Sequence, residues 1–362
     1  MNNTNTINAE TTLLSALERL NGLPGRAHMT LFVCDGKGRV AGTLTDGDVR
    51  RALLRGLTLA SPVAEACCRS FRRIAPCDSP REVIDKLREC RSKGITLVPV
   101  VDDETRLLRI LDLTVTPTQL PLKAVLMAGG KGERLRPQTL TTPKPLLKIE
   151  GKAIIDYNIE ALAACGISDV TVCTRYLADQ LDEHFREPFG PGMIRVRCVR
   201  EAEPLGTIGA VALTGAAAED GETLVMNSDL LTTISYEELY LRHLDTGADV
   251  TIAVVPFQVS VPFAILSIDP DDPGRVTALE EKPTYSHYAN AGIYIFNNEV
   301  LRRLRPDRRT DATDLIAEAI AGGARVSYYT IKGTWLDVGS QTDFRQASEL
   351  MRHHRAMDKS GL

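Results

Sequence analysis

The sequence predicts an α/β protein: a mostly parallel mixed sheet with helices on both faces, preceded by a small α+β region. Three observations carry this. Beyond about residue 122, short apolar runs rich in β-branched residues alternate with longer stretches of helical period, the pattern of strand and crossover helix. Residues 114–121, TVTPTQLP, place two prolines in a threonine-rich stretch that opposes both helix and central strand, and so read as a linker. Ahead of that linker a helix-strand-turn-strand pattern occurs twice, which suggests an internal duplication.

The elements follow in order. Residues 31–34 and 40–44 read as strands of a hairpin joined through Asp35-Gly36-Lys37-Gly38, and a helix over 46–54 follows with Thr45 as its N-cap. The second copy is a helix over 80–91, a strand over 97–101, the turn Asp102-Asp103-Glu104 and a strand over 107–111. After the linker, strands are expected at 124–127, 169–173, 194–199, 223–226 and 250–255, with a further strand at 293–296. Helices are expected over 154–165, stopped at Gly166, and over 234–245, stopped at Gly247. These boundaries divide the chain into domains 1–118 and 119–362. In an open parallel sheet, ligands bind beyond the carboxyl ends of the strands, where the loop at Gly129 and Asp229 should lie.

Composition narrows the function. The 362 residues suffice for two or three domains, and 43% hydrophobic with 25% charged residues is ordinary for a soluble globular chain. A net charge of −4 offers no broad basic field, so nucleic acid is not an expected partner. The eight cysteines show no C-x-x-C and no metal-ligand spacing, so buried reduced thiols are expected. The first dozen residues lack a signal peptide's basic start and apolar core, and no apolar run approaches the roughly 20 residues of a membrane span. A cytoplasmic protein with no membrane partner is the expectation.

The most informative stretch is Gly129-Gly130-Lys131-Gly132-Glu133-Arg134-Leu135-Arg136-Pro137, followed by Pro143-Lys144-Pro145. A buried strand ending in Ala128 and small residues lets backbone N–H groups approach phosphate oxygens, and the basic residues supply positive charge. The third glycine of a dinucleotide-binding fingerprint and the Gly-Lys-Ser/Thr of a Walker loop are both missing. Lys144 is held between two prolines that fix its backbone. Lys131 and Arg136 read equally well as solvated loop cations.

These residues carry a resemblance. The G-G-x-G-x-R-L-x-P-x-T and P-K-P pattern resembles the signature of the sugar-1-phosphate nucleotidyltransferases, and the likeness covers about 122–348. Further matches follow in family order: Glu203-Pro204-Leu205-Gly206-Thr207-Ile208-Gly209-Ala210, Asn227-Ser228-Asp229, Glu280-Glu281-Lys282-Pro283, Asn290-Ala291-Gly292 and Trp335-Leu336-Asp337-Val338-Gly339. The implied fold is the Rossmann-like nucleotide-diphospho-sugar transferase fold. The implied reaction is attack of a sugar 1-phosphate on the α-phosphorus of a nucleoside triphosphate, with Mg²⁺ as cofactor. No general base is needed, since a phosphate monoester is already charged with a second pKa near ~6.

The resemblance also implies roles. Arg134 and Lys144 would stabilise triphosphate charge, Asp229 and Asp337 would hold the metal, and Ala128, Gly129, Gly130, Gly132, Gly206 and Thr207 would contact the nucleotide. Glu281, Lys282, Asn290 and Gly292 would meet the sugar phosphate, Gly292 leaving room for the ring. Tyr285, His287 and Tyr288 are expected on a loop before that site, where they would shape sugar specificity or cover apolar surface. Glu281 and Lys282 could not both line a pocket from a regular strand, so Pro283 is expected to end the strand there.

The segment 204–210 is similar to that of guanylyltransferases acting on mannose or heptose phosphates, which favours GTP and leaves UTP, dTTP and CTP open. Gly42-Thr43-Leu44-Thr45-Asp46-Gly47-Asp48 matches the G-x-x-T-x-x-D segment of CBS domains, and the duplicated region resembles a CBS pair. There Thr45 and Asp48 would hold the ribose of a regulatory adenine nucleotide, or Thr45 would simply cap its helix within a dimerisation platform. The layout is similar to the CBS-containing glucosamine-1-phosphate guanylyltransferases of legionaminic acid synthesis. A homo-oligomer is expected, since both families often pair. The alternative in another class is a catalytically silent, nucleotide-sensing partner of an active homologue.

Overall fold

The computed structural model describes residues 4–25, 29–190 and 194–360, without the side chains of 353–360. The chain divides into two compact units, Met1–Pro121 with Ala163–Gly166 and Leu122–Leu162 with Ile167–Leu362.

In the first unit, β1 (Thr6–Asn8), β2 (Leu31–Cys34) and β3 (Val40–Leu44) form a sheet in that order, parallel then antiparallel. Helices α1 (Leu13–Asn21) and α2 (Asp46–Leu54) bury Leu13, Ala16, Leu20, Val49 and Ala52 against Leu31, Val33 and Leu44. The second copy is α3 (Pro80–Ser92) with the antiparallel pair β4 (Leu97–Val101) and β5 (Leu107–Asp112), packed around Leu87, Cys90, Val98 and Leu111. Both repeated helices start with a capping box, Thr45 with Asp48 and Ser79 with Glu82, which satisfies two otherwise orphaned donors at each start.

In the second unit come β6 (Lys123–Ala128), the small hairpin β7 (Lys148–Ile149) and β8 (Lys152–Ala153), α4 (Ile154–Ala164), β9 (Val170–Thr174), α5 (Ala178–His184), β10 (Val196–Arg200), β11 (Glu222–Asn227) and β12 (Leu230–Thr232). Then follow α6 (Tyr236–Thr246), β13 (Val250–Ser260), β14 (Ile265–Ile268), β15 (Val276–Glu280), β16 (Thr284–Asn297), α7 (Asn298–Leu301), α8 (Ala312–Ala321), β17 (Val326–Thr330), β18 (Trp335–Asp337) and α9 (Gln341–Ser360). Ser235 caps α6, and Gly247 ends it in the left-handed conformation.

The main sheet has the order β10-β9-β6-β11-β16-β13-β17, and β16 alone runs antiparallel to its neighbours. Val125, Val225, Tyr294 and Phe296 pack with Leu315, Ile316 and Ala319 of α8. Ala124, Leu126 and Leu224 are equally buried and, by the period of two, point to the opposite face, so the sheet is covered on both sides.

Two expectations are corrected. The strand expected at 293–296 begins at Thr284, so Tyr285, His287, Tyr288 and the Asn290-Ala291-Gly292 segment lie within β16 and not on a loop before it. The cause is β13, which runs on to Ser260 and pairs Val255–Ser260 with Thr284–Ala289 as a ribbon outside the core. The ribbon is exposed on both faces, Phe257, Val259 and Tyr288 included, so no buried-exposed alternation marks the strand. The cysteines are all free, but only Cys90 and Cys173 are buried, whereas Cys68 and Cys77 are exposed. Cys68 sits at an isolated bridge to Thr43 and Cys77 in a turn, both outside packed elements.

Candidate active site

Four parallel strands end in register. Ala128 pairs with Thr174, Thr174 with Arg200, and Met127 with Asn227. The residues that follow, Gly129, Arg175, Glu201 and Ser228-Asp229, therefore form a row along the carboxyl edge. A cavity of about 530 Å³ opens there. Of the residues expected from sequence, Ala128, Gly129, Gly130, Lys144, Gly206, Thr207 and Asp229 line it.

Asp229 stands two residues beyond the end of β11, and Asp337 ends β18. Antiparallel pairing of β12 with β18, Leu230 opposite Asp337, brings them together, and the Val338 N–H donates to the Asp229 carbonyl at 3.1 Å. Lys144, in a tight turn between Pro143 and Pro145, places its ammonium between the two carboxylates: Nζ donates to Asp229 Oδ2 and stands 3.5 Å from Asp337 Oδ1. The Oδ1 atoms of both aspartates are shielded from solvent and accept no hydrogen bond. Burial first, then the charge of Asp229, holds the Asp337 carboxyl above the ordinary carboxylate range, with Lys144 and Arg134 pulling the other way.

Two carboxylates with uncommitted, desolvated oxygens suit a hard divalent cation, which takes oxygen ligands. Among the described residues no group of three or more His, Cys, Asp or Glu side chains is arranged for a metal.

The glycines act through different neighbours. A Cβ at Gly129 would stand 2.5 Å from Glu201 Oε1, whereas one at Gly130 would meet nothing and would only fill space. Gly132, at φ 60°, passes 3.0 Å from Thr139 and 3.1 Å from Lys144 by the same measure. Gly206, in the cavity wall at φ 85°, also passes close to the chain itself: a Cβ would sit 2.4 Å from the Thr310 carbonyl. Thr207 N–H donates to Asp311 Oδ1 at 2.9 Å and its hydroxyl accepts from Ala312 N–H at 2.8 Å, tying this loop to the start of α8.

Other expected residues stand elsewhere. Arg134 is exposed in the turn Glu133–Leu135, does not line the cavity, and approaches Asp337 and Gly339. Glu281 and Lys282 are exposed on a bend between β15 and β16, with Lys282 at φ 46°, and form no part of the cavity wall. That bend resolves the conflict of adjacent strand residues by leaving the strand. Asn290 accepts from the Gly292 N–H at 2.9 Å, and Gly292, at φ 71°, abuts Asn227 of the cavity wall, where a Cβ would come within 2.5 Å of Nδ2. In the first unit, Asp48 Oδ2 accepts from both the N–H and the hydroxyl of Thr45, at 2.9 and 2.6 Å, while Oδ1 pairs with Arg51 at 2.6 Å.

The wall also contains Arg175, Glu201, Asn227, Ser228, Arg309 and Asp311, which sequence reasoning left without a role. Asn227 and Ser228 sat inside a matched motif. Arg175 and Glu201 were detectable as the first residues after two parallel strands, the position at which such sheets present their ligand contacts.

Comparison with known proteins agrees with this geometry. The family model "Nucleotidyl transferase" matches residues 123–354, and the CBS domain model matches 1–55. The chain is 33% identical over 227 residues to the catalytic subunit beta of mannose-1-phosphate guanylyltransferase from Dictyostelium discoideum, and 33% identical over 229 residues to a mannose-1-phosphate guanyltransferase of Neurospora crassa. In each case the match spans 62% of this chain and 62% of the relative's length. A solved Bacillus anthracis structure, provisionally assigned as a glucose-1-phosphate thymidylyltransferase, superposes with a TM-score of 0.50 at 22% identity over 64% of this chain and 95% of that one, a likeness of fold. No described helix is long and apolar enough to cross a membrane.

Proposed function

Because the chain belongs to the nucleotidyl transferase family, we propose that it joins a nucleoside triphosphate to a sugar 1-phosphate, releasing pyrophosphate. A phosphate oxygen of the sugar substrate forms a bond to the α-phosphorus as the bond from that phosphorus to the bridging oxygen of pyrophosphate breaks. The nucleophile arrives ionised, so the protein's task is to position two anions and neutralise charge. Lys144 supplies that charge at the carboxylate corner, and the open space at Gly130 leaves room for phosphate oxygens. Asp229 and Asp337 are the residues to hold Mg²⁺, which when bound would offset the negative charge of the phosphates.

The observation that carries the reading is the pair of buried Oδ1 atoms that accept no hydrogen bond, beside Lys144 at the carboxyl edge of the sheet. Buried polar atoms left without hydrogen bonds call for an explanation, and beside an ammonium at a cavity edge a bound cation supplies one. The names of the Dictyostelium and Neurospora relatives favour a guanylyl donor and a mannose-type acceptor, for the production of a nucleotide sugar. The first unit, through its CBS domain, is assigned to regulation or assembly, with adenine nucleotide as its ligand class. At Thr45 and Asp48 such a ligand would compete with the capping box.

A panel of triphosphates and sugar 1-phosphates, read by pyrophosphate release with and without Mg²⁺, tests the assignment. Release that requires both substrates and the metal is expected. A folded protein silent across the panel would favour the nucleotide-sensing alternative.

A further inference from the structure

The turn that carries Asp229 is fastened through three successive carbonyls. That of Asp229 accepts the Val338 N–H at 3.1 Å, and those on either side of it, of Ser228 and Leu230, both face one side chain of α4. The side chain is Asn158, whose Nδ2 donates to Leu230 at 3.0 Å and stands 3.4 Å from the carbonyls of Ser228 and of Ile154 in its own helix. Carbonyl oxygens only accept, so the amide end that faces three of them is the nitrogen.

Nothing in α4 itself calls for an amide there. Asn158 is 3% exposed on a face that also buries Ile154, Ile155, Ile159 and Leu162, where an apolar side chain would pack without giving up hydration. It is not part of the wall of the cavity at the sheet edge, and lines instead a smaller one of about 240 Å³ with Tyr157, Leu231 and Met351. The turn supplies the reason. Asp229 and Asp337 keep Oδ1 atoms that accept no hydrogen bond, and like charge works to part the two carboxylates, so the backbone has to impose their spacing. Ser228 fastens the turn to β6, its N–H and hydroxyl donating to the Met127 carbonyl at 3.2 and 2.7 Å. Asn158 ties both flanks of Asp229 to a helix whose Ile154 and Tyr157 pack with Leu231, Leu336 and Val338.

We propose that Asn158 is a positioning residue: its amide fixes the backbone on both sides of Asp229 and so sets the separation at which the two carboxylates hold a divalent cation. The inference rests on the nucleotidyl-transfer reading for the chemistry, and on Asp229 and Asp337 as the cation's holders. Asn158 touches neither substrate nor cation; it acts through Asp229. A group that orients a ligating carboxylate matters nearly as much as the carboxylate, and its removal costs about 10- to 100-fold in metal affinity or activity. A shift of about 1 Å in a reacting group is enough for a loss of that order. Leucine at this position would satisfy the packing of α4 and leave the Ser228 and Leu230 carbonyls without this donor.

The test compares the full-length protein with Asn158→Leu, which fills the same space without a donor. Asn158→Ala serves where the leucine variant fails to fold, since water from the adjoining cavity can reach the freed carbonyls. Each protein is measured for kcat and KM in pyrophosphate release, and for Mn²⁺ binding without substrates by electron paramagnetic resonance. The donor-free variants should lose about 10- to 100-fold in kcat and about 10-fold in Mn²⁺ affinity. KM for both substrates should stay within about threefold, because the lost contact is not made to either of them. Asn158→Gln keeps the amide, has the adjoining cavity for its extra methylene, and should stand closer to the unaltered protein than either. A folded donor-free variant with unchanged kcat and Mn²⁺ affinity overturns the proposal. So does one whose sole change is a lower unfolding midpoint in urea, which would leave the amide a structural part. Weakened Mn²⁺ binding in a protein that releases no pyrophosphate would uphold Asn158 and defeat the transfer reading. Release that needs both substrates, and persists unchanged in the folded variants, would do the reverse.

Discussion

Two acidic sites picked out of the sequence end in opposite states. At Thr45 and Asp48 every carboxylate oxygen is engaged, by the Thr45 backbone and hydroxyl and by Arg51, and the pair closes on itself as a helix cap. At Asp229 and Asp337 two shielded oxygens have no donor, although Lys144 stands beside them. Desolvating a polar atom without pairing it costs stability, so each such atom calls for an explanation, and a bound ion is one. At these two acidic sites the hydrogen-bonding state, and not the residue type, makes the difference.

The largest expected effect breaks the unsatisfied pair. Asp229→Asn should lower pyrophosphate release by about a thousandfold or more, the order that several kcal/mol of lost charge stabilisation implies, while circular dichroism and thermal unfolding remain close to those of the unaltered chain. Near-normal turnover would remove the aspartates from the mechanism.

The next effect sharpens the comparison at a satisfied buried group. His243, 3% exposed and hydrogen-bonded to Thr251 at 2.9 Å, has its pKa lowered to about 4, chiefly by burial. Between about 4 and 6.5 the unfolded chain holds the proton that the folded one does not, so stability is full above about 6.5 and is lost as pH falls toward 4. The loss attributable to this residue is about 3 kcal/mol. Urea unfolding at pH 7 and pH 5 should show about 2 kcal/mol of it, and His243→Gln should flatten that slope. An unchanged slope would locate the acid sensitivity elsewhere.

The smallest effect belongs to the satisfied pair itself. Thr45→Ala removes a cap and should cost about 1 kcal/mol in unfolding of the first unit. No measurable loss would mean that the capping box contributes little and would reopen the site to a ligand role.

Much of the fold was legible in residue pattern alone. The alternation after residue 122 gave β6, β9, β11 and β13, because strands buried on both faces must read as continuous apolar runs. The caps and stops of α2 and α6 were readable because they depend on neighbours three or four residues away. The outer ribbon of β13 and β16 was not, since strands exposed on both faces carry no burial signal. At the site, Lys144 and Asp229 stand on the cavity wall, while Lys282 and Glu281, chosen from an equally good motif, stand outside it.

By itself, then, the sequence determined what is local: strand and helix periods, the proline-flanked aim of Lys144 and the glycines that let the chain turn. Tertiary structure alone decided that Asp337 meets Asp229 through the pairing of β12 with β18, that Glu201 and Arg175 join the same edge, and that Gly206 is forced by Thr310. Those contacts join residues far apart in the chain, and their free energy comes from register and desolvation, which no short window of residues encodes.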